Sequence, residues 1–440
     1  MTDQKTDQII AADQTWTGES FESDIQIRIG EDGRIAEVGR LGLTPDLILK
    51  DRALLPGFVS THSHAFQRAL RGRGERFPAG SGSFWTWREA MYSLVAGLDG
   101  DSFESLCLRT FQEMRRAGVT TVGEFHYFHH GPEEEGWAFD ERVLRAASAA
   151  GIRIALLHVF YRTGGIGQPL EGGQRRFATP SREGYWEQMD RLAGLLDPRR
   201  QTLGASVHSI RAASLEDLRE VYDEARRRDL VFHIHVEEQM REIDDALAFY
   251  GKRPMQLLLE SLGTATDVTA VHCTHTDPDD MQRFLSFGGI PCLCPLTEGN
   301  LGDGIPGLPY INELGGTVCL GTDSNARISL LEEMRWLEYG QRLSTQSRGV
   351  LRDEDGHVAR TLLRAATQGG AQALGIDAGR IAPGAWADFV AIDLTAPTLA
   401  GWEPDTLLDS LIFGAAEEAI AGTCVGGEWS PVGHPGTSPA

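Results

Sequence analysis

His62 and His64, two positions apart in this chain of 440 residues, have the types and the spacing of metal ligands. On an extended segment, side chains at i and i+2 point the same way, so both imidazoles can bind one ion. A third imidazole, His235, and a carboxylate, Asp323, lie at the ends of two later apolar runs. Three nitrogens and one oxygen suit zinc or a similar ion and leave a position for water. This set predicts a hydrolytic metal centre.

The elements that must position these residues form a repeating pattern. Apolar runs of strand length alternate with amphipathic segments of helical length, which predicts a parallel sheet. The predicted strands are Leu54–Ser60, Thr120–Phe125, Arg153–Phe160, Leu203–His208, Leu230–Val236, Thr269–His272, Gly289–Leu293 and Thr317–Gly321. At this length the pattern favours a closed (β/α)8 barrel of the TIM type, in which reactive groups come from the C-terminal ends of strands. An open doubly wound sheet is the alternative, but no GxGxxG turn follows the first strand.

The segments that flank the barrel have a different pattern. Residues 1–53 and 379–429 contain short alternating runs separated by turns, and we expect them to form one small β-sandwich domain. The barrel then spans residues 54–378. Residues 430–440 are rich in proline, glycine and serine, which predicts a mobile tail. Within the barrel, Asp277 before Pro278 predicts the start of a helix, with a capping carboxylate followed by proline.

The number of ions is predicted from the scarcity of lysine. Lysine occurs only at Lys5, Lys50 and Lys252. A second ion in barrels of this kind usually needs a carboxylated lysine on the fourth strand, and none of the three lies there. We therefore expect one divalent ion, with zinc favoured and iron(II) or manganese(II) as alternatives.

Charge and composition restrict the partners. A formal net charge of -22 argues against nucleic acid and anionic membranes, and an anionic small substrate would need locally placed arginines. The six cysteines form no CxxC pair and are typical of reduced thiols. The first ten residues are polar and acidic, unlike a signal peptide, and no apolar run approaches the roughly 20 residues of a membrane span. These features predict a cytoplasmic protein.

Several motifs resemble the amidohydrolase superfamily, and within it the formimidoylglutamate deiminases. The superfamily features are HxH on the first strand, histidines on the fifth and sixth, and aspartate on the eighth. The matching segments are LLPGFVSTHSH (Leu54–His64), HSHAFQRALRG (His62–Gly72), SFWTWREAMY (Ser83–Tyr92), EFHYFHH (Glu124–His130), HIHVEEQMRE (His233–Glu242), TEGNLGDG (Thr297–Gly304), EEMRWLEYGQRL (Glu332–Leu343) and GRIAPGAWADFVAID (Gly379–Asp393).

The resemblance implies hydrolysis of N-formimidoyl-L-glutamate to N-formyl-L-glutamate and ammonia, a step of histidine degradation, by a homodimer. It implies metal ligation by His62, His64, His235 and Asp323. It assigns catalysis to Glu238, His272 and Asp323, and substrate contacts to Gln67, Arg88, Tyr127, His208 and Arg211. Arg88 and Arg211 would bind the two substrate carboxylates, since a guanidinium binds a carboxylate through two parallel hydrogen bonds.

Two other functions stay open. A deaminase of a purine, pyrimidine or triazine ring would use the same scaffold but would not need two arginines aimed at carboxylates. A non-catalytic barrel is disfavoured by the complete set of ligands and catalytic residues. Of the remaining histidines, His129 and His130 are expected in a loop rather than as ligands, His233 packed or behind the ligands, and His275 beyond the sixth strand.

Overall fold

The computed structural model describes residues 7–73, 75, 84–131, 136–263, 267–308 and 315–431. Within these residues the strands, numbered in chain order, are β1 (Gln8–Trp16), β2 (Phe21–Glu22), β3 (Gln26–Ile29), β4 (Ile35–Gly39), β5 (Leu47–Pro56), β6 (Phe58–Ser63), β7 (Val119–His126), β8 (Arg153–Phe160), β9 (Gln201–Val207), β10 (Phe232–Val236), β11 (Val268–His272), β12 (Ile290–Leu293), β13 (Cys319–Leu320), β14 (Phe389–Asp393), β15 (Ile420–Val425) and β16 (Glu428–Pro431).

Strands β6 to β13 form the barrel. Each pairs in parallel with the next along the chain, in the order β6-β7-β8-β9-β10-β11-β12-β13. Every residue of β7 and β8 is buried, as expected where helices cover a parallel sheet whose inner face lines the barrel. The ring closes just after the last strand, where the backbone N–H groups of Thr322 and Asp323 each donate to His62 O at 3.0 Å. The predicted (β/α)8 barrel is confirmed.

Helices cover the barrel on the outside. They are α1 (Phe84–Gly97), α2 (Gly100–Arg116), α3 (Ala138–Ala150), α4 (Arg182–Ala193), α5 (Leu215–Arg227), α6 (Met240–Tyr250), α7 (Pro254–Leu262), α8 (Pro278–Ser286), α9 (Pro295–Leu301), α10 (Leu330–Thr345), α11 (Val358–Arg364), α12 (Gly370–Ala373) and α13 (Leu407–Gly414). Short 3-10 turns occur at Ala65–Leu70, Gly172–Phe177, Pro397–Leu399 and Glu417–Ala419, and a π turn at Ala365–Gly369. The predicted cap of α8 is confirmed, since the Asp277 side chain accepts a hydrogen bond from Asp279 N. None of the helices in the described ranges is both long and apolar enough to span a membrane.

The remaining strands come from the two terminal segments and form one mixed sheet. Its order is β16-β15-β14-β5-β1-β3-β4, with β2 paired to β1. Its own apolar core includes Ile10, Ile27 and Phe389. A buried ion pair attaches it to the barrel, with Arg153 of β8 donating to both oxygens of Asp388 at 2.8 and 3.0 Å.

Three boundaries differ from the predicted ones. Leu54–Pro56 belongs to β5 and pairs with β14 in the terminal sheet, so the first barrel strand begins only at Phe58. Leu54–Pro56 and the first residues of β6, Phe58 and Val59, are buried and apolar, and Gly57 alone separates them, so no polar residue marks this boundary. The last barrel strand shortens to Cys319–Leu320. Ser430 and Pro431 pair with β15, and the rest of the predicted tail lies outside the described residues.

Candidate active site

The four predicted metal ligands meet at the C-terminal end of the barrel. His62 Nε2 lies 3.1 Å from both His64 Nε2 and His235 Nε2. Asp323 Oδ1 lies 3.3 Å from His62 Nε2 and 3.2 Å from His64 Nε2. Ligand atoms about 2.0 Å from a tetrahedral zinc ion lie roughly 3.3 Å from one another. The spacing of the four donor atoms therefore suits one ion of that size.

The hydrogen bonds behind the imidazoles show which nitrogens face inward as acceptors. His64 Nδ1 lies 2.9 Å from Phe125 O, and His235 Nδ1 lies 2.9 Å from His208 O. A carbonyl only accepts, so each Nδ1 carries the proton and each neutral ring turns a lone pair inward at Nε2. Burial lowers the pKa of His62 to about 3 and that of His235 well below its ordinary value, so these rings are neutral. Buried lone pairs that face an ionised carboxylate suit a cation, and the residues present fit a divalent ion.

Asp323 is held in a strained backbone conformation. Its φ is 40° and that of Asn325 is 56°, a region that residues other than glycine rarely occupy. The Asn325 amide donates to Ser63 Oγ, His64 O and Asp323 O at 3.0–3.1 Å, which fastens this loop to the end of β6. Burial alone would raise the pKa of Asp323, but its close contacts with His62 and His64 hold it well below the usual value. The carboxylate is therefore ionised. Asn325, which holds the loop of Asp323 in place, was not among the predicted site residues.

The predicted catalytic pair lies beside this cluster. His272 Nε2 is 3.9 Å from Glu238 Oε1, and His272 Nδ1 is 3.5 Å from Glu298 Oε1. Burial lowers the pKa of His272, but the charge of Glu238 and the contact with Glu298 outweigh it and raise the pKa to about 10. A charged imidazole between two carboxylates can donate a hydrogen bond to a developing negative charge. Glu298 was not predicted as a site residue, although it lies in the TEGN segment that carried the resemblance.

The five predicted substrate contacts line one cleft, and three of the four predicted metal ligands line it too. Gln67, Arg88, Tyr127, His208 and Arg211 share this cleft with His64, His235, Glu238, His272 and Asp323. Gln67 is buried, and its Nε2 donates to Tyr127 OH at 2.7 Å. The structure thus brings together all the residues predicted for the site.

Arg211 is surrounded by carboxylates. Its Nη2 lies 3.5 Å from Glu238 Oε2, and its Nε lies 3.7 Å from Glu242 Oε1. Glu242 is fully buried, and among the described residues neither of its oxygens accepts a hydrogen bond. Burial raises the pKa of Glu242 to about 7, against the charge of Arg211. Glu238 and Glu242 thus hold the Arg211 guanidinium at the wall of the cleft. Glu242 is a second neighbour that the sequence analysis did not identify.

A second group of histidines surrounds Asp140 outside the barrel ring. Asp140 Oδ1 lies 2.9 Å from His126 Nε2 and 2.9 Å from His129 Nδ1, and Oδ2 lies 2.8 Å from His158 Nε2. Gln188 also donates to Oδ2, at 2.8 Å. These are ordinary hydrogen-bond lengths, shorter than the 3.1–3.3 Å separations at the first cluster. Protons, rather than an ion, account for this arrangement.

The other histidines have structural positions. His129 and His130 lie outside helices and strands, as expected, but His129 is fully buried in the Asp140 group. His233 is buried, its Nε2 lies 2.9 Å from Ala373 O, and it does not line the cleft. His275 is half-buried beyond β11 and does not line the cleft either.

Comparison with known proteins gives a consistent picture. The chain is 40% identical over 427 residues to formimidoylglutamate deiminase of Pseudomonas aeruginosa, covering 96% of this chain and 94% of that protein. A solved amidohydrolase from Brucella melitensis superposes with a TM-score of 0.85 at 32% identity, over 97% of this chain and 96% of that one. A solved adenosine deaminase from Xanthomonas campestris with bound zinc has a TM-score of 0.80 at 22% identity, over 96% and 92%, and shares the fold.

Residues 53–430 match the amidohydrolase family. The matched residues include the whole barrel and β14 to β16 apart from Pro431. With the deiminase relative, this match makes the chain a hydrolase of carbon–nitrogen bonds that acts on a small substrate. The barrel, the ligand cluster at its C-terminal end and the match over most of the sequence agree: the chain belongs to the amidohydrolase family.

Proposed function

We propose that the protein hydrolyses N-formimidoyl-L-glutamate to N-formyl-L-glutamate and ammonia. The observation that carries this proposal is the cleft itself, which has Arg88 and Arg211 in the same space as the ligand cluster. Two guanidinium groups suit a substrate with two carboxylates, whereas an uncharged heterocycle gives them no partner. The name of the Pseudomonas aeruginosa relative, at 40% identity, supports the same reaction.

We propose one divalent ion, zinc first, held by His62, His64, His235 and Asp323. When bound, it would lower the pKa of a water from about 16 to about 7 and so supply a nucleophile at neutral pH. The zinc in the adenosine deaminase of the same fold supports this choice. Elemental analysis of protein purified without chelators tests the number: we expect one ion per chain. Two ions would point to the Asp140 group as a second site.

The chain's own residues account for the proton transfers. Asp323, ionised and at the cluster, accepts a proton from the attacking water. His272 donates a hydrogen bond to the oxygen as negative charge develops in the tetrahedral species. Glu238 passes to the imino nitrogen the two protons that the water gives up, the one taken by Asp323 and the one released as the formyl carbonyl forms, so that the carbon–nitrogen bond breaks and ammonia leaves. The nitrogen attached to glutamate keeps the carbon, now as a formyl group.

The arginines fix the substrate so that its carbon faces the nucleophile. Arg211 lies beside Glu238, so a carboxylate bound by Arg211 would hold the substrate next to the proton donor. Arg88 lines the cleft from α1, and we propose that it contacts the second carboxylate. Orientation of this kind supplies a large share of the rate enhancement in enzymes that bind their substrates at both ends.

The direct experiment measures ammonia release by the metal-loaded protein. We expect turnover of N-formimidoyl-L-glutamate and none of aminated purines, pyrimidines or triazines. Activity confined to a ring substrate would refute the proposal and establish the ring deaminase instead. Activity on neither class would revive a non-catalytic barrel.

Compartment, assembly and pathway form a second part of the proposal. The six cysteines are all buried and unpaired, which suits a reducing compartment, and we propose the cytoplasm. We also propose a homodimer and a place in histidine degradation. Light scattering after gel filtration tests the dimer, and growth of a deletion strain on histidine tests the pathway.

A further inference from the structure

The hydroxyl of Tyr92 lies in the cleft, next to Arg88. Tyr92 is on α1, one turn after Arg88, and lines the same cleft as the ligand cluster. Arg88 Nε donates to Tyr92 OH at 2.6 Å. Gln174 Nε2 donates to the same oxygen at 3.0 Å. Neither Tyr92 nor Gln174 was among the predicted site residues.

The direction of the Gln174 bond is fixed by its other partners. Its Oε1 accepts from Glu171 N at 3.0 Å, so the amide nitrogen is on the other side. That nitrogen also donates to Gly164 O at 3.1 Å, and a carbonyl can only accept. Gln174 is therefore a donor to Tyr92, and the phenolic oxygen accepts two hydrogen bonds.

A phenolic oxygen that already accepts two hydrogen bonds has only its proton left to give. In the described ranges of the chain, no acceptor takes that proton. Arg88 Nε already donates to Tyr92 OH. Nε and the neighbouring Nη therefore cannot bind both oxygens of a carboxylate together on that side of the guanidinium. The hydroxyl can supply a donor at this position instead.

We propose that Tyr92 donates a hydrogen bond to the substrate carboxylate bound by Arg88, and so helps select dicarboxylates. This inference rests on the proposed function and extends it by one residue. A carboxylate has two oxygens in one plane, and one of them would contact the guanidinium while the other contacts the hydroxyl. Hydrogen bonds to a charged group in a partly closed cleft are stronger than those between neutral groups.

The test compares Tyr92→Phe with the wild type, both metal-loaded. Loss of a hydrogen bond to a charged carboxylate is expected to raise KM for N-formimidoyl-L-glutamate about 10- to 100-fold. The effect on kcat should stay within about threefold, because the contact is remote from the reacting carbon. Tyr339→Phe, which removes a phenolic hydroxyl on α10 outside the cleft, should leave both constants unchanged.

Two truncated substrates separate direct contact from a structural role. One lacks the α-carboxylate and the other lacks the γ-carboxylate. If Tyr92 binds one of these groups, the ratio of wild-type to variant kcat/KM should fall to near one with the compound that lacks it. An equal loss with the full substrate and both truncated compounds would overturn the inference, as would an unchanged KM for the full substrate.

Failure of the proposed function would give a different result. If the wild type released no ammonia from N-formimidoyl-L-glutamate, the function would be refuted without a decision on Tyr92. Calorimetric titration of the metal-loaded proteins with glutarate would then decide it. Weaker binding by Tyr92→Phe than by the wild type would support the inference, and equal affinity, or no binding to either protein, would overturn it.

Discussion

Replacement of Asp140 by asparagine is expected to lower the free energy of unfolding by about 3–5 kcal/mol, although the site chemistry does not use this residue. Asp140 lies on α3, is fully buried and accepts from four side chains. One of the four, His129, has both ring nitrogens opposite acceptors: Nδ1 faces Asp140 and Nε2 lies 2.9 Å from Val159 O. Two acceptors need two N–H donors, so this geometry favours the protonated, positively charged ring, whereas burial lowers the pKa of His129.

The magnitude follows from what asparagine cannot do. Its carbonyl oxygen can replace Oδ1, but its NH2 group would face the N–H donors of His158 and Gln188. The charge that offsets His129 is also lost. Burial would raise the pKa of Asp140, and the charges of His158 and His129 hold it well below the usual value, so the native carboxylate is ionised. Removal of one partner of a buried ion pair costs about 3–5 kcal/mol, and each orphaned buried donor costs about 1–3 kcal/mol, with partial overlap between the two.

Urea unfolding of the metal-loaded proteins, followed by tryptophan fluorescence and circular dichroism, measures this loss. Glu141→Gln is the matched control, because Glu141 is the next residue of α3 and pairs with Arg191 on the surface. An exposed pair of that kind contributes about 1 kcal/mol or less. If Asp140→Asn were no more destabilising than Glu141→Gln, the charged network around Asp140 would be refuted.

Three further predictions concern the site. Arg211→Met should raise KM for N-formimidoyl-L-glutamate at least about 10-fold with bound metal unchanged, by kinetics and elemental analysis; loss of the ion would contradict its role in substrate binding. His235→Ala should lose both metal and turnover in the same assays, and a fully loaded variant would rule out His235 as a ligand. A carboxyl with a raised folded pKa binds its proton more tightly in the native state, so the wild type should lose up to about 3 kcal/mol of stability relative to Glu242→Gln between about pH 5 and 8. A difference that stays flat with pH would contradict the burial of that carboxyl.

The barrel and the grouping of the four predicted ligands could be predicted because much of their signal is local in sequence. Alternation of strand-length and helix-length runs is visible without three-dimensional information. The pair His62 and His64 needs only an extended backbone to face one ion. The remaining ligands, His235 and Asp323, lie at strand ends, which a closed parallel barrel brings to one rim. The structure places all four together.

The supporting residues could not be predicted because their partners are distant in sequence. Asn325 contacts Ser63, 262 residues away, and nothing in its neighbourhood indicates this. Asp140 is one of two adjacent acidic residues on an amphipathic helix, and only the fold shows that it points inward to three histidines. Leu54–Pro56 is as apolar as a barrel strand, and only its pairing with β14 assigns it to the other sheet.

The closure of the barrel has a consequence for biosynthesis. His62 and His64 lie on the first barrel strand, whereas Asp323 follows the last one, and the two ends meet where Ser60 and Thr322 are joined across 262 residues. A chain emerging from the ribosome has its first two imidazoles early but lacks the carboxylate until almost the whole barrel has been made. An ion captured before that point would be held weakly and could exchange. Tight binding of the metal would therefore require the closed barrel. The ion would then bind late in folding and stabilise the finished barrel, and would not direct the early steps of folding.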